Sequence, residues 1–271
     1  MTMKTEDLQP QFSGFFNTPH LFLNPINGLQ SFVKTIDQTP VFKEEITKNI
    51  RLGQRVERFV FEELQQHDNI KILCKNHQIK NDKLTIGELD CLFFDLEKQQ
   101  PVHLEIQFKY YLFDPNLGFT EVDHCIGPMR KDSLNEKLNK LKTKQLPLLE
   151  APETKSLLDA LNLKAEDFIQ RIYFKAQIFM PFEKSYILKT LNPKCVYGFY
   201  FKYKTLPFFK DYKFYKPKKT DWLLDVTPNV DWQTYDAILP ELKIYESEGY
   251  SPMLWLKHPK GHIDKCFVVA W

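Results

Sequence analysis

Acidic side chains interrupt apolar runs at three places in this sequence, and their spacing is that of a shared site. From Leu84 to Leu96, Glu88 and Asp90 alternate with Leu89, Cys91 and Phe93. In a strand they therefore share a face with Ile86, Leu92 and Phe94. A carboxylate in such a row is costly to bury unless a cation or a hydrogen-bond partner satisfies it. In the next run, Val102 to Phe113, one face carries His103, Glu105, Gln107, Lys109 and Tyr111, and the other is apolar. The connection Glu97 to Pro101 is short, so the faces bearing Asp90 and Glu105 can lie side by side, about 5 Å apart. Two carboxylates at that spacing repel unless a divalent ion sits between them. Hard oxygen ligands with open water positions suit Mg²⁺ or Mn²⁺, which acidify a bound water and neutralise charge developing on a phosphoryl group. Lys109 is a candidate to orient the attacking hydroxide. Glu57 borders the apolar stripe of a preceding helix, from which a carboxylate could reach the same ion. The bland alternative is an antiparallel strand with one wet face, on which Glu, Gln and Lys alternate without function, and a solvated helix flank for Glu57.

The elements that must position these residues can be read from periodicity. From Glu44 to Gln66 the residues Leu52, Val56, Phe59, Val60 and Leu64 recur at helical spacing, with Arg55, Glu57, Arg58, Glu62 and Glu63 between them. Strand-like runs follow at Ile70 to Ile79, Leu84 to Leu96 and Val102 to Phe113, and their short connections predict an antiparallel meander. A second helix is predicted over Met129 to Leu146 from Leu134, Leu138 and Leu141, then strands at Arg171 to Met180 and Val196 to Tyr203. A crossover helix of this kind commonly returns the chain to pair in parallel, giving an α/β fold with a mixed central sheet flanked by helices. Residues before about Pro40 carry Pro10, Pro19, Pro25 and Pro40 among aromatics, which predicts an irregular arm with short helices. The chain ends in an expected hairpin, Met253 to Lys257 and Ile263 to Ala270.

Bulk composition narrows the function classes. The 37 basic and 35 acidic residues give a net charge of +2, too little for a global field that would hold nucleic acid, so any such contact must be local. Lysines crowd two stretches, Lys131 to Lys144 and Lys202 to Lys219. The second is interleaved with Tyr203, Phe208, Phe209, Tyr212, Phe214 and Tyr215, a pattern that fits either phosphate contacts with stacking platforms for single strands or simply a core with wet lysines around it. Five scattered cysteines without a Cys-x-x-Cys pair argue against a disulfide scaffold or a cysteine-rich zinc site, and fit a reducing, cytoplasmic setting. His258, His262 and Cys266 surround one turn and supply too few partners for zinc, and the neighbours His124 and Cys125 do not make a nucleophile and base. No apolar run approaches bilayer length and no export signal is visible, so no membrane partner is expected.

Leu52-Gly53-Gln54-Arg55-Val56-Glu57, Gly87-Glu88-Leu89-Asp90 and His103-Leu104-Glu105-Ile106-Gln107-Phe108-Lys109 together resemble the helix-glutamate, aspartate and Glu-x-Lys series of the PD-(D/E)XK nuclease superfamily. Gly127-Pro128, Asp132, Leu134, Lys137-Leu138, Leu141, Gln145-Leu146 and Asp221-Trp222-Leu223 are similar to a bacterial family known only as domain of unknown function 1853. The resemblance implies a restriction-endonuclease-like core over residues 44–204, between an arm at 1–43 and an aromatic, basic extension at 205–271 packed on it. It implies metal ligands at Glu57, Asp90 and Glu105, with Glu57 the outer one. Gln107 stands where the superfamily usually has its lysine, so either Gln107 orients the water or Lys109 reaches in from one repeat along. Lys137 and Gln145 on the second helix, and Arg130 and Lys131 near its start, are implied contacts to DNA or RNA. The implied activity is metal-dependent phosphodiester hydrolysis. The alternative is a catalytically inactive nuclease-fold module that binds nucleic acid or a protein partner.

Overall fold

A computed structural model describes residues 2–3, 5–34, 36, 40–47 and 50–271. Residues 1, 4, 35 and 37–39 of the expected arm, and 48 and 49 of the first expected helix, lie outside the described residues. In chain order the main elements are α1 (Thr5–Asn17), α2 (Leu52–Gln65), β1 (Ile70–Asn81), β2 (Leu84–Asp95), β3 (Gln100–Phe113) and α3 (Leu134–Lys140). The chain continues through α4 (Lys155–Leu161), β4 (Ile169–Pro181), β5 (Val196–Lys202), β6 (Lys213–Tyr215), α5 (Tyr235–Ser247), β7 (Met253–Lys257) and β8 (Ile263–Val269). The fold is mixed α/β, with a large mixed central sheet flanked by helices.

The chain divides into two compact units. The first comprises Met1–Gln9, His20–Phe108 and Glu136–Lys175. In it β1, β2 and β3 form the expected antiparallel meander, because each polar connection is too short for anything but a hairpin. Helix α2 buries Val56, Phe59, Val60 and Leu64, the stripe predicted by its periodicity. Each such side chain contributes about 1.5–3 kcal/mol on leaving water. A second apolar cluster joins Ile79, Leu89 and Leu92 of the meander to Leu148, Leu149, Leu158 and Phe168. The first unit also buries a charged group: Tyr173 donates its hydroxyl to Glu63 Oε2 at 2.6 Å, and Lys175 Nζ stands 3.6 Å from the same oxygen.

The second unit comprises Pro10–Pro19, Lys109–Asn135 and Ala176–Trp271. Its strands follow the order β4, β5, β8, β7, β6, with β4–β5 and β5–β8 parallel and the β7 pairings antiparallel. Tyr203, Leu206, Phe209 and Phe214 sit in one core cluster with Ile238 and Leu242 of α5 and with Leu254, Leu256 and Val268. The aromatics of the Lys202 to Lys219 stretch are thus mostly core, and the stacking-platform expectation fails for them. Phe208 alone among these phenylalanines is exposed, and Lys216 is paired with Glu241 at 2.7 Å.

Three helix boundaries differ from expectation. Helix α2 begins at Leu52 instead of Glu44: Arg51 is extended, its N–H is capped by Gln54 Oε1 at 3.2 Å, and β-branched Ile46–Thr47 form a short strand upstream. Helix α3 begins at Leu134 instead of Met129, because Gly127 N–H bonds to Asp132 O in a turn that holds Arg130 at a left-handed φ of 54°. Beyond Lys140 it widens into a π-helical turn, Leu141–Gln145, and then tightens into 3₁₀ geometry over Leu146–Glu150. Helix α5 has no counterpart in the periodicity, because Pro240 lies inside it and masks the pattern, while Thr234 caps it by accepting Ala237 N–H at 3.3 Å.

Candidate active site

The β2–β3 ladder runs from Asp95 opposite Gln100 to Cys91 opposite Leu104 and then stops. One further step would set Asp90 opposite Glu105, so the two acids stand on the same face at the fork where the strands part. The acids themselves satisfy the backbone there. Ile106 donates its N–H to Asp90 Oδ2 at 2.8 Å, and the Asp90 N–H turns to the Glu105 carboxylate. The two carboxyls are also within hydrogen-bond reach of one another. This is not a wet strand face: His103 and Glu105 are 0% exposed and Asp90 9%. Burial, and next to it repulsion from Glu105, pushes the Asp90 pKa up to about 7. Burial likewise raises Glu105 to about 7, against the opposing pull of the Lys137 ammonium. With both groups near 7, one proton held between them would offset the charge of the pair.

Glu105 is held from two further sides. Gln145 donates from Nε2 to Glu105 Oε2 at 2.6 Å, and Lys137 Nζ donates to Gln145 Oε1 at 3.0 Å. Lys137 and Gln145 are eight residues apart, which in a regular α-helix leaves them about 80° out of line. The π-helical turn over Leu141–Gln145 takes up that excess and brings both to one face. His103 lies two residues before Glu105, with Nε2 3.1 Å from Glu105 Oε1. Burial lowers the His103 pKa to about 4, so this contact is a hydrogen bond and not an ion pair.

Glu57 projects from α2, and its Oε2 accepts a hydrogen bond from Asn76 Nδ2 at 3.0 Å. Asn76 lies in β1 at a left-handed φ of 48°, a conformation that Asn tolerates better than most residues. Burial raises the Glu57 pKa to about 7, and repulsion from Asp90 and then Glu88 adds to it. Glu57, Asp90 and Glu105 therefore form an electrostatic chain, with Glu88 beside it. Among the described residues, however, no group of three or more His, Cys, Asp or Glu side chains is arranged to hold a metal ion. The close pair is Asp90 and Glu105, and Glu57 stands outside it.

The remaining sequence candidates are dispersed. Gln107 is half-buried, and its side chain makes no hydrogen bond among the described residues. Lys109 donates from Nζ to Asp132 Oδ2 at 2.6 Å, within the second unit. Arg130, also in the second unit, is 3.6 Å from Asp114 Oδ2 and lies over the Trp271 ring at 4.3 Å. Lys131 is exposed. His262 pairs with Asp264 at 2.8 Å, and Cys266 is fully buried. Sequence reading missed Asn76, Gln170 and the Gln145-to-Glu105 contact. Strand parity places Glu88 on the Asp90 face, whereas local spacing carries no signal for these three.

The family described as Domain of unknown function (DUF1853) matches residues 16–262. No curated protein and no solved structure matches the chain. Among the described residues no helix is long and apolar enough to cross a membrane.

Proposed function

The chain belongs to the DUF1853 family, and on that footing we propose that it is a metal-dependent nuclease that hydrolyses phosphodiester bonds of DNA or RNA, with a core of the PD-(D/E)XK, restriction-endonuclease-like kind. The observation that carries this reading is the buried Asp90–Glu105 pair at the open fork of β2 and β3. Two carboxyls raised to about 7, both by burial and Asp90 also by repulsion from Glu105, are a poor structural element. They are a good hard-oxygen donor set for Mg²⁺ or Mn²⁺. Bound there, such an ion would acidify a water and neutralise charge developing on the phosphoryl group.

The chain's own residues supply the rest. Asp90 and Glu105 would hold the ion, and Glu57, tied to Asn76, would act as the outer carboxylate. Lys137 is the ammonium that pulls on both Asp90 and Glu105, which suits it to offset substrate phosphate charge. Gln107, unengaged among the described residues and on the Glu105 face, is the group available to orient the attacking water. Lys109 is engaged by Asp132, so the lysine slot falls to Gln107. That same Gln107 favours the second reading, a binding module that kept the fold and lost the chemistry.

Cleavage separates the two. Purified protein with Mn²⁺ or Mg²⁺ should cut a panel of single- and double-stranded DNA and RNA, and Asp90→Ala should abolish cutting while the circular dichroism spectrum is preserved. Equal activity in the two proteins contradicts the nuclease reading.

A further inference from the structure

We infer that His103 is a positioning residue: a neutral imidazole, protonated on Nε2, that fixes the Glu105 carboxylate in the orientation the acidic pair requires. The inference deepens the nuclease reading and rests on it for its functional part. The hydrogen-bond chain behind Glu105 determines its own polarity. Gln170 Nε2 stands 2.7 Å from the Leu146 carbonyl oxygen, which can only accept, so that end of Gln170 is its NH₂ group. The same NH₂ stands 3.4 Å from His103 Nδ1, which must therefore accept. The proton of the neutral ring then lies on Nε2, 3.1 Å from Glu105 Oε1, and is donated to it.

The other side of Glu105 is fixed by the same logic. Lys137 Nζ can only donate, so the atom it meets on Gln145 is the oxygen, and the Gln145 NH₂ faces Glu105 Oε2. Besides its contacts with Asp90, Glu105 thus receives a neutral donor on each oxygen, from β3 itself on one side and from the end of the π-helical turn on the other. Neither donor brings charge into the site. His103 is completely buried, so its ring is held by its surroundings and has no route to solvent as a proton shuttle. The role left to it is orientation, the part that outer hydrogen-bond partners take around carboxylate ligands.

The test reads the tautomer and the chemistry separately. In full-length protein carrying ¹⁵N-histidine, the two-bond ¹H–¹⁵N pattern lost in His103→Gln identifies the His103 ring; it should be the neutral Nε2–H form, and Gln170→Leu should disturb it. In Mn²⁺-dependent cleavage, His103→Leu should lower kcat by about 10- to 100-fold with KM little changed. His103→Gln, whose NH₂ reaches the Nε2 position, should recover most of that loss. An Nδ1–H or cationic ring, a His103→Leu protein as active as wild type, or a His103→Gln protein as impaired as His103→Leu would each overturn the assignment and leave the nuclease reading intact. Wild-type protein that cleaves nothing, with the Nε2–H ring present and dependent on Gln170, would remove the nuclease reading and support His103 as the orienting partner of Glu105 alone.

Discussion

Asp90 and Glu105 carry their carboxyls in a place where ionising both is unfavourable, and this sets a sign for how stability varies with pH. In the unfolded chain these groups ionise near about 4. In the folded, cation-free protein each is raised to about 7. Between those values the folded state binds more protons than the unfolded state, so stability falls as pH rises, and the loss is complete above the folded value. Asp90→Asn keeps an oxygen to accept the Ile106 N–H and removes the charge. In chelator-treated protein at about pH 8 it should therefore be more stable than wild type by on the order of 1 kcal/mol, or about 2–4 °C, with the difference closing near pH 4. Differential scanning calorimetry at the two pH values checks this; a variant less stable than wild type at the higher pH would show that the pair is already satisfied without a cation. At this scale the sequence disclosed the acids and hid their supports. Asp90 and Glu105 announced themselves by parity in strands, whereas Gln145 reaches Glu105 from 40 residues away and Gln170 reaches His103 from 67. Contacts of that separation depend on the register of whole elements, which local spacing does not encode.

Strands were the legible elements here, because a hydrophobic period of two and short polar connections leave few alternatives. β1 to β5 and the closing hairpin fall close to their predicted spans. Helix ends were less legible, since they are decided by caps and turns such as the Arg51–Gln54 bond and the left-handed Arg130, and Pro240 concealed α5. The π-helical turn was invisible in sequence, although it aligns Lys137 with Gln145. Strand contact also imposes side-chain size. In β5, a Cβ on Gly198 would sit 2.0 Å from the Lys265 carbonyl oxygen of β8, a backbone atom that cannot rotate away. Gly198→Ala should therefore destabilise the protein by about 2–3 kcal/mol, read as a lower urea midpoint. An unchanged midpoint would mean that the parallel β5–β8 pair is looser than the structure describes.

At the scale of the whole molecule, 37 basic residues against 35 acidic ones leave no long-range attraction for a polyanion. Two lysines are already engaged, Lys216 by Glu241 and Lys109 by Asp132, and the aromatics of the Lys202 to Lys219 stretch are largely core. A nuclease with so little electrostatic reach needs its positive charge at the reacting phosphate, which is the role proposed for a divalent ion on Asp90 and Glu105. The most direct test is a calorimetric titration of Mn²⁺ into the full-length wild-type chain and into Asp90→Asn and Glu105→Gln near neutral pH. The account predicts a single binding event in wild type whose heat varies with the ionisation enthalpy of the buffer, because the shared carboxyl proton is expelled, and no such event in either variant. No binding in wild type, or the same isotherm in all three proteins, would contradict it.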